Sequence, residues 1–346
     1  MTSPLHLFRW SAVLIALQLA ACRAPLSMMN PRTPVLIDTD MGADDAMAIA
    51  FLLRRPEVEV KAITVTGAGL AHCEQGAHNA LRLLALADRA DIPVACGRAT
   101  PLQGNQAYPE PWRQQADTLN GIPLPEPKSS ASASTAVQLL AFTLEGSSRK
   151  VTVLALGNLT NLAEAFQARP SLVERVERLY VMGGAVSVPG NVGDSPGVTP
   201  PNPHAEWNFY VDPFAAARVL EVAPVLLVPL DATHHVPVTE AFLQRFDKER
   251  QTPEADFVYR LLSSDLEYVR GGTYFFWDPL AAVSLAVEGV VTYESRKVRV
   301  VEEEGESSGR TQKAESGQTM RVGVSADRQK FEAAFLDTLN GRVQAP

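Results

Sequence analysis

The fold can be inferred from one stretch near the start of the chain, Val35-Leu-Ile-Asp-Thr-Asp-Met-Gly-Ala-Asp-Asp45. Its three leading apolar residues have the aliphatic character of a buried strand. A polar turn through Gly42 follows, and Ala46 to Leu53 then has the apolar content of a buried helix. A strand that leads directly into a helix is typical of the first unit of a parallel α/β sheet.

The same alternation of apolar strands and helical patterns continues along the chain. Near-continuous apolar runs indicate strands that are covered by helices on both faces. The predicted fold class is therefore α/β, with a single doubly wound, mostly parallel sheet flanked by helices over residues 31–346. Further strands are predicted at Val58 to Val65, Val151 to Ala155, Arg178 to Met182 and Val225 to Val228, and a helix through Asn79 to Leu84.

Three segments depart from this alternation. Pro101 to Ala133 is rich in Pro, Gln and Ser, and Glu302 to Gln318 is charged and rich in Gly and Ser, so both are predicted to be surface loops. Gly183 to His204 follows an apolar strand, which is the usual position of substrate-binding loops in such sheets. We expect this third loop to contact a ligand.

The composition limits the class of partner. The 346 residues are 46% hydrophobic and 20% charged, which is enough apolar content for a large core. The formal net charge is −8, and no run of Lys and Arg occurs that could bind phosphates. The sequence therefore argues against a nucleic-acid partner and favours a small neutral or cationic substrate.

The first 30 residues carry a separate signal. Arg9 precedes an apolar run from Trp10 to Ala21 that is too short to span a bilayer but suits a signal peptide. The run ends in Leu19-Ala-Ala-Cys22, which resembles a bacterial lipoprotein cleavage box with Cys22 as the lipid anchor. Alternatively, translation starts at Met28 or Met29. The location, cell envelope or cytoplasm, stays open between these two interpretations, and residues 1–30 lie outside the predicted fold in both.

Cysteine spacing offers little further information. Cys22, Cys73 and Cys96 do not form the even, regular pattern of a disulfide framework, and none pairs with another at a zinc-ligand spacing. We expect neither a disulfide framework nor a zinc site.

Four aspartates lie within eight residues where the first strand gives way to the first helix: Asp38, Asp40, Asp44 and Asp45. One or two carboxylates at a helix N-terminus are ordinary caps, but four repel one another unless a cation lies among them. Oxygen ligands without a His or Cys pair favour Ca²⁺ or Mg²⁺ over Zn²⁺. The alternative is an acidic cap in which Gly42 merely makes the turn.

These residues also carry a family resemblance. The stretch Asp38-Thr-Asp-Met-Gly-Ala-Asp-Asp-Ala46 resembles the D-x-D-P-G-x-D-D-A signature of the inosine-uridine-type nucleoside hydrolases, with Met41 in place of the usual Pro. The resemblance extends from about Pro34 to the C-terminal helix. It includes Ala155-Leu-Gly-Asn-Leu-Thr-Asn161, Val181-Met-Gly-Gly184, Ala205-Glu-Trp-Asn208, Leu230-Asp-Ala-Thr-His234 and Trp277-Asp-Pro-Leu280.

The resemblance implies a calcium-dependent enzyme that hydrolyses the N-glycosidic bond of ribonucleosides, and it implies a homodimer or homotetramer. Asp40 would be the general base, because a carboxylate near a metal-activated water can remove its proton. The implied ligands of Ca²⁺ are Asp40, Asp45, Asp278 and the backbone carbonyl of Leu156. The implied substrate contacts are Asp44, Met182, Asn191, Glu206, Asn208 and Trp277.

The chain departs from the family pattern at two positions that bear on the substrate. Trp277 stands where many members carry a His that protonates the leaving base, and a Trp can stack on a purine but cannot be that acid. Ala68 stands where many members have a substrate-contacting Asn. We therefore expect a purine preference, with core packing as the alternative role of Trp277, and leave the leaving-group acid unassigned among His72, His234 and His235.

Two assignments have local competitors. Asn191 belongs to a loop that is longer than in many members, so Asn202 is the competing choice for the sugar contact. Asp278 and Asp212 both precede a Pro, as a helix N-cap often does. We predict a cap at Asp212 and a metal ligand, with or without a cap, at Asp278.

Two other classes of protein share parts of the pattern. Phosphohydrolases of the haloacid dehalogenase type begin with a strand and Asp-x-Asp, which Asp38-Thr-Asp40 satisfies, and they use Mg²⁺ and an aspartyl nucleophile. A lipoprotein that binds nucleosides or sugars would suit the leader. The first class does not account for Asp44 or for Trp277-Asp278, and a binding protein needs no base beside a metal.

Overall fold

The computed structural model describes Met1 and residues 32–344. The predicted leader, residues 1–30 with the lipobox cysteine Cys22, lies outside the described residues. Within the described part, no helix combines the length and apolar character that crossing a membrane requires.

The secondary structure alternates as the sequence pattern predicts. The strands are β1 Thr33–Thr39, β2 Val58–Val65, β3 Val94–Cys96, β4 Val151–Ala155, β5 Val176–Met182, β6 Val225–Val228, β7 Val291–Val300, β8 Thr311–Lys313 and β9 Thr319–Ala326. The helices are α1 Ala43–Leu53, α2 Cys73–Leu86, α3 Glu110–Asp117, α4 Ala136–Gly146, α5 Thr160–Ala168, α6 Trp207–Val211, α7 Pro213–Val222, α8 Leu230–Thr233, α9 Glu240–Glu249, α10 Pro253–Ser263, α11 Leu266–Arg270, α12 Trp277–Ala286 and α13 Arg328–Leu339.

The strands form one sheet in the order β3-β2-β1-β4-β5-β6-β9-β7-β8. All neighbours from β3 to β9 run parallel, and β7 is antiparallel to both β9 and β8. The predicted fold class, a mostly parallel sheet flanked by helices, is confirmed. The chain runs outward from β1 to β2 and β3 and then returns to place β4 on the other side of β1, so the order reverses at β1.

The sheet is buried on both faces. Val35 and Ile37 of β1 belong to one apolar cluster and Leu36 to the other, as the alternation of side chains along a strand requires. On the first face α1 packs against α12. Phe276, which precedes α12, contacts Phe331 and Phe335 of α13 at ring-centroid distances of 4.9 and 5.5 Å. These contacts fix the N-terminal ends of α1 and α12 relative to the sheet.

Two segments that the sequence predicts as surface loops are partly built into the fold. Pro101 to Ala133 contains α3 and buries Ala116 and Leu119, and Glu302 to Gln318 contains β8. The prediction was wrong there because a high content of Pro, Gln, Gly and Ser does not exclude a short element whose stability comes from tertiary contacts.

The expectation about cysteines was also wrong. Cys73 and Cys96 form a disulfide with a Cα–Cα distance of 5.6 Å, although 23 positions separate them in the chain. Cys73 begins α2 and Cys96 ends β3, and β3 pairs in parallel with β2, the strand that precedes α2. Only the tertiary fold brings the two together, so their spacing in the sequence carried no signal.

Asp212 is the N-cap of α7, as predicted. Its fully buried carboxylate accepts hydrogen bonds from Ala215 N at 3.0 Å, Thr160 Oγ1 at 2.7 Å and Leu102 N at 2.7 Å. The one carboxylate therefore connects α7 to α5 and to the segment that follows β3.

We expect Asp212→Ala to lower the free energy of unfolding by about 2–4 kcal/mol, because it removes a cap and leaves a buried hydroxyl and a buried N–H unpaired. Asp327→Ala is the matched control, since exposed Asp327 caps α13 through a single bond to Lys330 N. Its expected loss is about 1 kcal/mol. Urea unfolding measures both, and equal losses for the two variants would contradict the connecting role of Asp212.

Candidate active site

The predicted site residues converge at the carboxyl-terminal edge of the sheet. Asp40 follows β1, Leu156 follows β4, and Met182 is the last residue of β5. This edge, at the strand where the order reverses, is where open α/β sheets form their ligand crevice. The sheet topology alone therefore places one chain segment from each of these strands at a common point.

The acidic loop is ordered by its own backbone. Asp45 lies in the first turn of α1 and accepts hydrogen bonds from Asp40 N at 3.1 Å, Gly42 N at 3.0 Å and the Thr39 hydroxyl. Met41 has a φ of 56°, in the left-handed region. Proline cannot adopt this φ, since its ring holds the angle near −65°. A proline at this position would therefore require a backbone conformation different from the one that Met41 adopts.

Two glycines make room for Asp40. A Cβ on Gly157 would lie 2.7 Å from the Cβ of Asp40, and a Cβ on Gly69 would overlap the same atom. Leu70 N donates to the Asp40 carboxylate at 3.0 Å. Asp40 is thus enclosed by the loops that follow β2 and β4, and it is 3% exposed.

Three carboxylates lie close enough to share one ion. Oxygen atoms of Asp44, Asp45 and Asp278 are all within 4.8 Å of one another, and the Asp45 carboxyl contacts those of both Asp40 and Asp278. Asp278 lies in the first turn of α12. Its buried Oδ1 has no hydrogen-bond partner among the described residues. These oxygen donors, one of them unpartnered, fit a hard divalent cation.

Among residues 32–344, no cationic side chain balances these charges. None of the salt bridges within residues 32–344 involves Asp40, Asp44, Asp45 or Asp278. The N-terminal ends of α1 and α12 point their partial positive charge at the cluster, but each amounts to only about half an elementary charge. A bound cation or bound protons must supply the remainder.

The carboxyls accordingly bind protons more tightly than usual. Burial, assisted by the charge of Asp40, raises the pKa of Asp44 to about 7, and burial with the charge of Asp44 raises the pKa of Asp45 to about 6. Burial, followed by the charge of Asp45, raises the pKa values of Asp40 and Asp278 well above the usual range. Burial also raises the pKa of Asp38 to about 7, although Asn161 and Thr64 donate hydrogen bonds to it.

Glu206 and Asn208 belong to the same site, since the charge of Asp40 acts on Glu206. The Glu206 carboxylate caps α6 and accepts from Asn208 N at 2.9 Å and Gly184 N at 2.9 Å, while burial raises its pKa to about 7. The Asn208 amide donates to the carbonyls of Leu156 at 2.9 Å and Met182 at 3.2 Å. These contacts bring together four of the residues that the resemblance implied.

The two competing asparagines have different surroundings. Asn202 is fully buried, donates to Ser308 O at 2.7 Å and accepts from Ala205 N at 3.0 Å, so its amide is committed to the fold. Asn191 is exposed and accepts from Trp207 N, next to Glu206, at 3.1 Å. The geometry favours Asn191 as the sugar contact.

Trp277 is half-buried in an aromatic cluster beside Asp278. Its ring lies 5.6 Å from Tyr274 and 6.4 Å from Tyr268, and its buried Nε1 has no hydrogen-bond partner within the described chain. Burial raises the pKa values of both tyrosines, and the negative charge of Asp44 contributes to the increase. The aromatic cluster therefore adjoins the carboxylates. Trp277 packs partly against the core and at the same time lies next to the site.

The leaving-group acid stays unassigned. His72 bonds through Nδ1 to Asp117 at 2.8 Å, which ties it to the end of α3. His234 and His235 are exposed, and His234 contacts the ring of Phe275 at a centroid distance of 4.7 Å. None of the three contacts a carboxylate of the cluster among the described residues.

Tyr108 also belongs to this site, although no pattern in the sequence predicted it. Its hydroxyl donates to Asn208 Oδ1 at 3.1 Å, and its ring stacks on Trp207 at 4.7 Å. Tyr108 belongs to the Pro-rich segment predicted as a surface loop, where two aromatic residues, Tyr108 and Trp112, form no periodic pattern. Their packing partners Trp207 and Tyr210 lie about 100 positions further along the chain, so only the tertiary fold shows the aromatic cluster.

Comparison with known proteins places this site in a family. The family described as "Inosine-uridine preferring nucleoside hydrolase" matches residues 35–333. The chain belongs to this family. Its members' name agrees with the resemblance carried by the acidic loop and by the Trp277-Asp278 motif.

Individual nucleoside hydrolases are similar over most of the chain. The pyrimidine-specific ribonucleoside hydrolase RihA of Salmonella enteritidis is 39% identical over 236 residues, which cover 68% of this chain and 72% of that protein. A plant nucleoside hydrolase, PpNRh1, is 30% identical with a TM-score of 0.80, covering 90% of this chain and 99% of that one. The inosine-uridine preferring nucleoside hydrolase of Bacillus anthracis is 25% identical with a TM-score of 0.78, covering 89% and 99%.

Membership in the nucleoside hydrolases settles the class of activity. The protein is a nucleosidase that hydrolyses the N-glycosidic bond of ribonucleosides, and the phosphohydrolase and the non-catalytic binding protein are set aside. Nucleoside hydrolases are typically metal-dependent, and the Asp44, Asp45 and Asp278 cluster could hold the metal.

The raised pKa values predict how a divalent cation affects stability. A carboxyl whose pKa is higher in the folded chain stabilises the fold at low pH and loses that contribution as pH rises through the folded value. For Asp44, Asp45 and Glu206 this loss falls between pH about 4 and about 7. A bound cation replaces the protons, so the rise in melting temperature on adding Ca²⁺ or Mg²⁺ should be larger at pH 8 than at pH 5.

Thermal melts of the metal-free protein at both pH values provide this measurement. Asp278→Asn should reduce the cation-dependent shift, because it removes one of the three converging carboxylates. Asp337→Asn is the control. Asp337 lies on α13 and forms an ion pair with Arg342, so this substitution should leave the shift unchanged. A shift of the same size at pH 5 and pH 8 would contradict the proposed exchange of protons for a cation.

Proposed function

We propose that this nucleosidase is calcium-dependent and prefers purine ribonucleosides, with Asp40 as the general base and residues 31–346 as the catalytic domain. The observation that carries the proposal is a set of buried, mutually repelling carboxylates at the crevice of the sheet, which no Lys or Arg of the described residues balances.

The proposed ligands of Ca²⁺ are the side chains of Asp40, Asp45 and Asp278 and the carbonyl of Leu156. Their oxygen donors suit Ca²⁺, whose coordination tolerates irregular geometry and extra ligands such as sugar hydroxyls. When bound, the ion supplies Lewis-acid activation of the attacking water. The Asp278 Oδ1 that lacks a hydrogen-bond partner supports this ligand set.

Asp40 is suited to accept the proton of that water. The Asp40 side chain contacts Asp45 on one side and the backbone of Gly69 and Leu70 on the other. These contacts hold its carboxylate in one position. Burial raises its pKa, and a base becomes more effective as its pKa approaches the working pH. The bond that breaks joins the sugar C1′ to the base nitrogen, and the water oxygen takes the place of that nitrogen.

The other acidic and amide groups suit the sugar. Glycosidic cleavage develops positive charge on the ribose ring, which nearby carboxylates stabilise. We assign the ribose hydroxyls to Asp44, Asn191, Glu206 and Asn208, with Met182 lining the same pocket. The backbone N–H groups that hold Glu206 keep its carboxylate in place without a change of conformation during the reaction.

Base preference rests on Trp277. The planar face of the Trp277 indole can stack on a base, and a purine offers the larger face. The indole N–H has no hydrogen-bond partner among the described residues. The name of the 39% identical relative, by contrast, specifies pyrimidine nucleosides. The assay must therefore compare both classes of base directly.

The first experiment measures release of free ribose from inosine, adenosine, guanosine, uridine and cytidine by residues 29–346, with and without a calcium chelator. We expect activity that the chelator abolishes and that Ca²⁺ restores. Asp40→Asn should lower kcat by about 100-fold or more, the usual contribution of a general base. Asp247→Asn is the control, because Asp247 only pairs with Arg250 on the surface.

Full activity in the chelator would remove calcium from the proposal, and an active Asp40→Asn variant would remove the base. Release of ribose from none of the five nucleosides would move the search to other ribosides.

Stacking by Trp277 has its own test. We expect Trp277→Ala to lower kcat/KM for inosine about tenfold or more relative to its effect on uridine, because stacking on a base contributes about 1–3 kcal/mol. Phe142→Ala on the exposed face of α4 is the control. Equal losses for inosine and uridine would indicate that Trp277 supports only the core.

A further inference from the structure

The segment between β3 and α4 forms one wall of the site. It is anchored from α3: Arg113 donates to Gly67 O at 2.8 Å, and Asp117 accepts from His72 N at 2.8 Å. Gly67 and His72 belong to the loop after β2 that also holds Asp40 through Leu70 N. The segment and the loop that encloses Asp40 are therefore held together by hydrogen bonds.

Tyr108 is the residue of this segment that reaches the site. Its ring is stacked on Trp207 with an interplanar angle of 19°, and Trp112 and Tyr210 contact Trp207 with their edges at 5.4 and 5.5 Å. Ala68 is buried in the same apolar cluster as Trp207. This packing leaves the Tyr108 ring little freedom, so its hydroxyl has a defined position.

The hydroxyl of Tyr108 contacts a residue of the site directly. It donates to Asn208 Oδ1, and Asn208 in turn donates to the carbonyls of Leu156 and Met182. Burial, followed by the charges of Asp40 and Glu206, raises the pKa of Tyr108 well above its usual value, so the phenol stays protonated at neutral pH. A phenol that donates to Asn208 still has lone pairs with which to accept a hydrogen bond.

The other side of Tyr108 faces solvent. A cavity of about 580 Å³ is lined by Tyr108, Pro109, Tyr210, Pro200, Glu304 and Ser308. Tyr108 thus lies between this open cavity and the acidic cluster.

We propose that Tyr108 is a specificity-determining residue that accepts a hydrogen bond from a hydroxyl group of the ribose, while its ring closes the sugar pocket on the side of the cavity. The proposal rests on the nucleosidase activity and adds a sugar contact to those implied by the family signature. A stacked phenol is better placed for this role than a flexible polar side chain, because little rotational freedom is lost on binding.

Tyr108→Phe tests the contact, because it keeps the stacked ring and removes only the hydroxyl. For the best ribonucleoside, kcat/KM should fall about three- to tenfold, the usual effect of one uncharged hydrogen bond. For the 2′-, 3′- and 5′-deoxy forms of the same nucleoside, the loss should vanish for the one form that lacks the contacted hydroxyl and persist for the other two. Tyr210→Phe is the matched control, since Tyr210 contacts the same Trp207 ring and lines the same cavity.

The outcomes separate this proposal from the one on which it rests. An unchanged kcat/KM in Tyr108→Phe, or an equal loss for all four nucleosides, would overturn the sugar contact while leaving the nucleosidase activity intact. Inactivity of the wild-type protein on every riboside would instead overturn the proposed function. The melting temperatures of both variants should match the wild type, which excludes a general loss of folding.

Discussion

Repulsion among buried carboxylates is the constraint on which the rest of this structure depends. Asp40, Asp45 and Asp278 are each at most 3% exposed, and the Asp45 carboxyl contacts the other two without a cationic partner in the described chain. Burying like charges in this way is costly unless ions, protons or dipoles compensate. The fold supplies the dipoles of α1 and α12 and the backbone N–H groups of the acidic loop, and it leaves the remaining charge to be balanced by a ligand.

The same constraint explains how the surrounding backbone is shaped. Asp40 fits only because Gly69 and Gly157 carry no Cβ, so the loops after β2 and β4 can approach it closely. The loop after β2 is in turn held by the Cys73 to Cys96 disulfide at its far end and by Arg113 from α3. A cluster of repelling charges is thereby enclosed by segments that are cross-linked to one another, which preorganises the carboxylates before any ligand binds.

The sequence predicted the parts of the site that local patterns encode. The β1 strand, the acidic turn and α1 follow from periodicity and from the density of Asp, and the parallel sheet follows from the apolar strands. Tyr108 and the Cys73 to Cys96 pair could not be predicted in this way, because each depends on which strands become neighbours. Strand β7 escaped prediction for a different reason: most of its central residues are polar and are exposed or half-buried, so its apolar content is low.

The disulfide bears on the open question of the leader. Disulfides persist in oxidising compartments and are rare in a reducing cytosol. A chain that started at Met28 or Met29 and stayed in the cytosol would keep Cys73 and Cys96 as thiols, whereas a chain exported by the leader would oxidise them. The fold brings the two sulfur atoms together beside the loop that holds Asp40. Whether this covalent cross-link steadies the acidic cluster therefore depends on the compartment that the chain occupies.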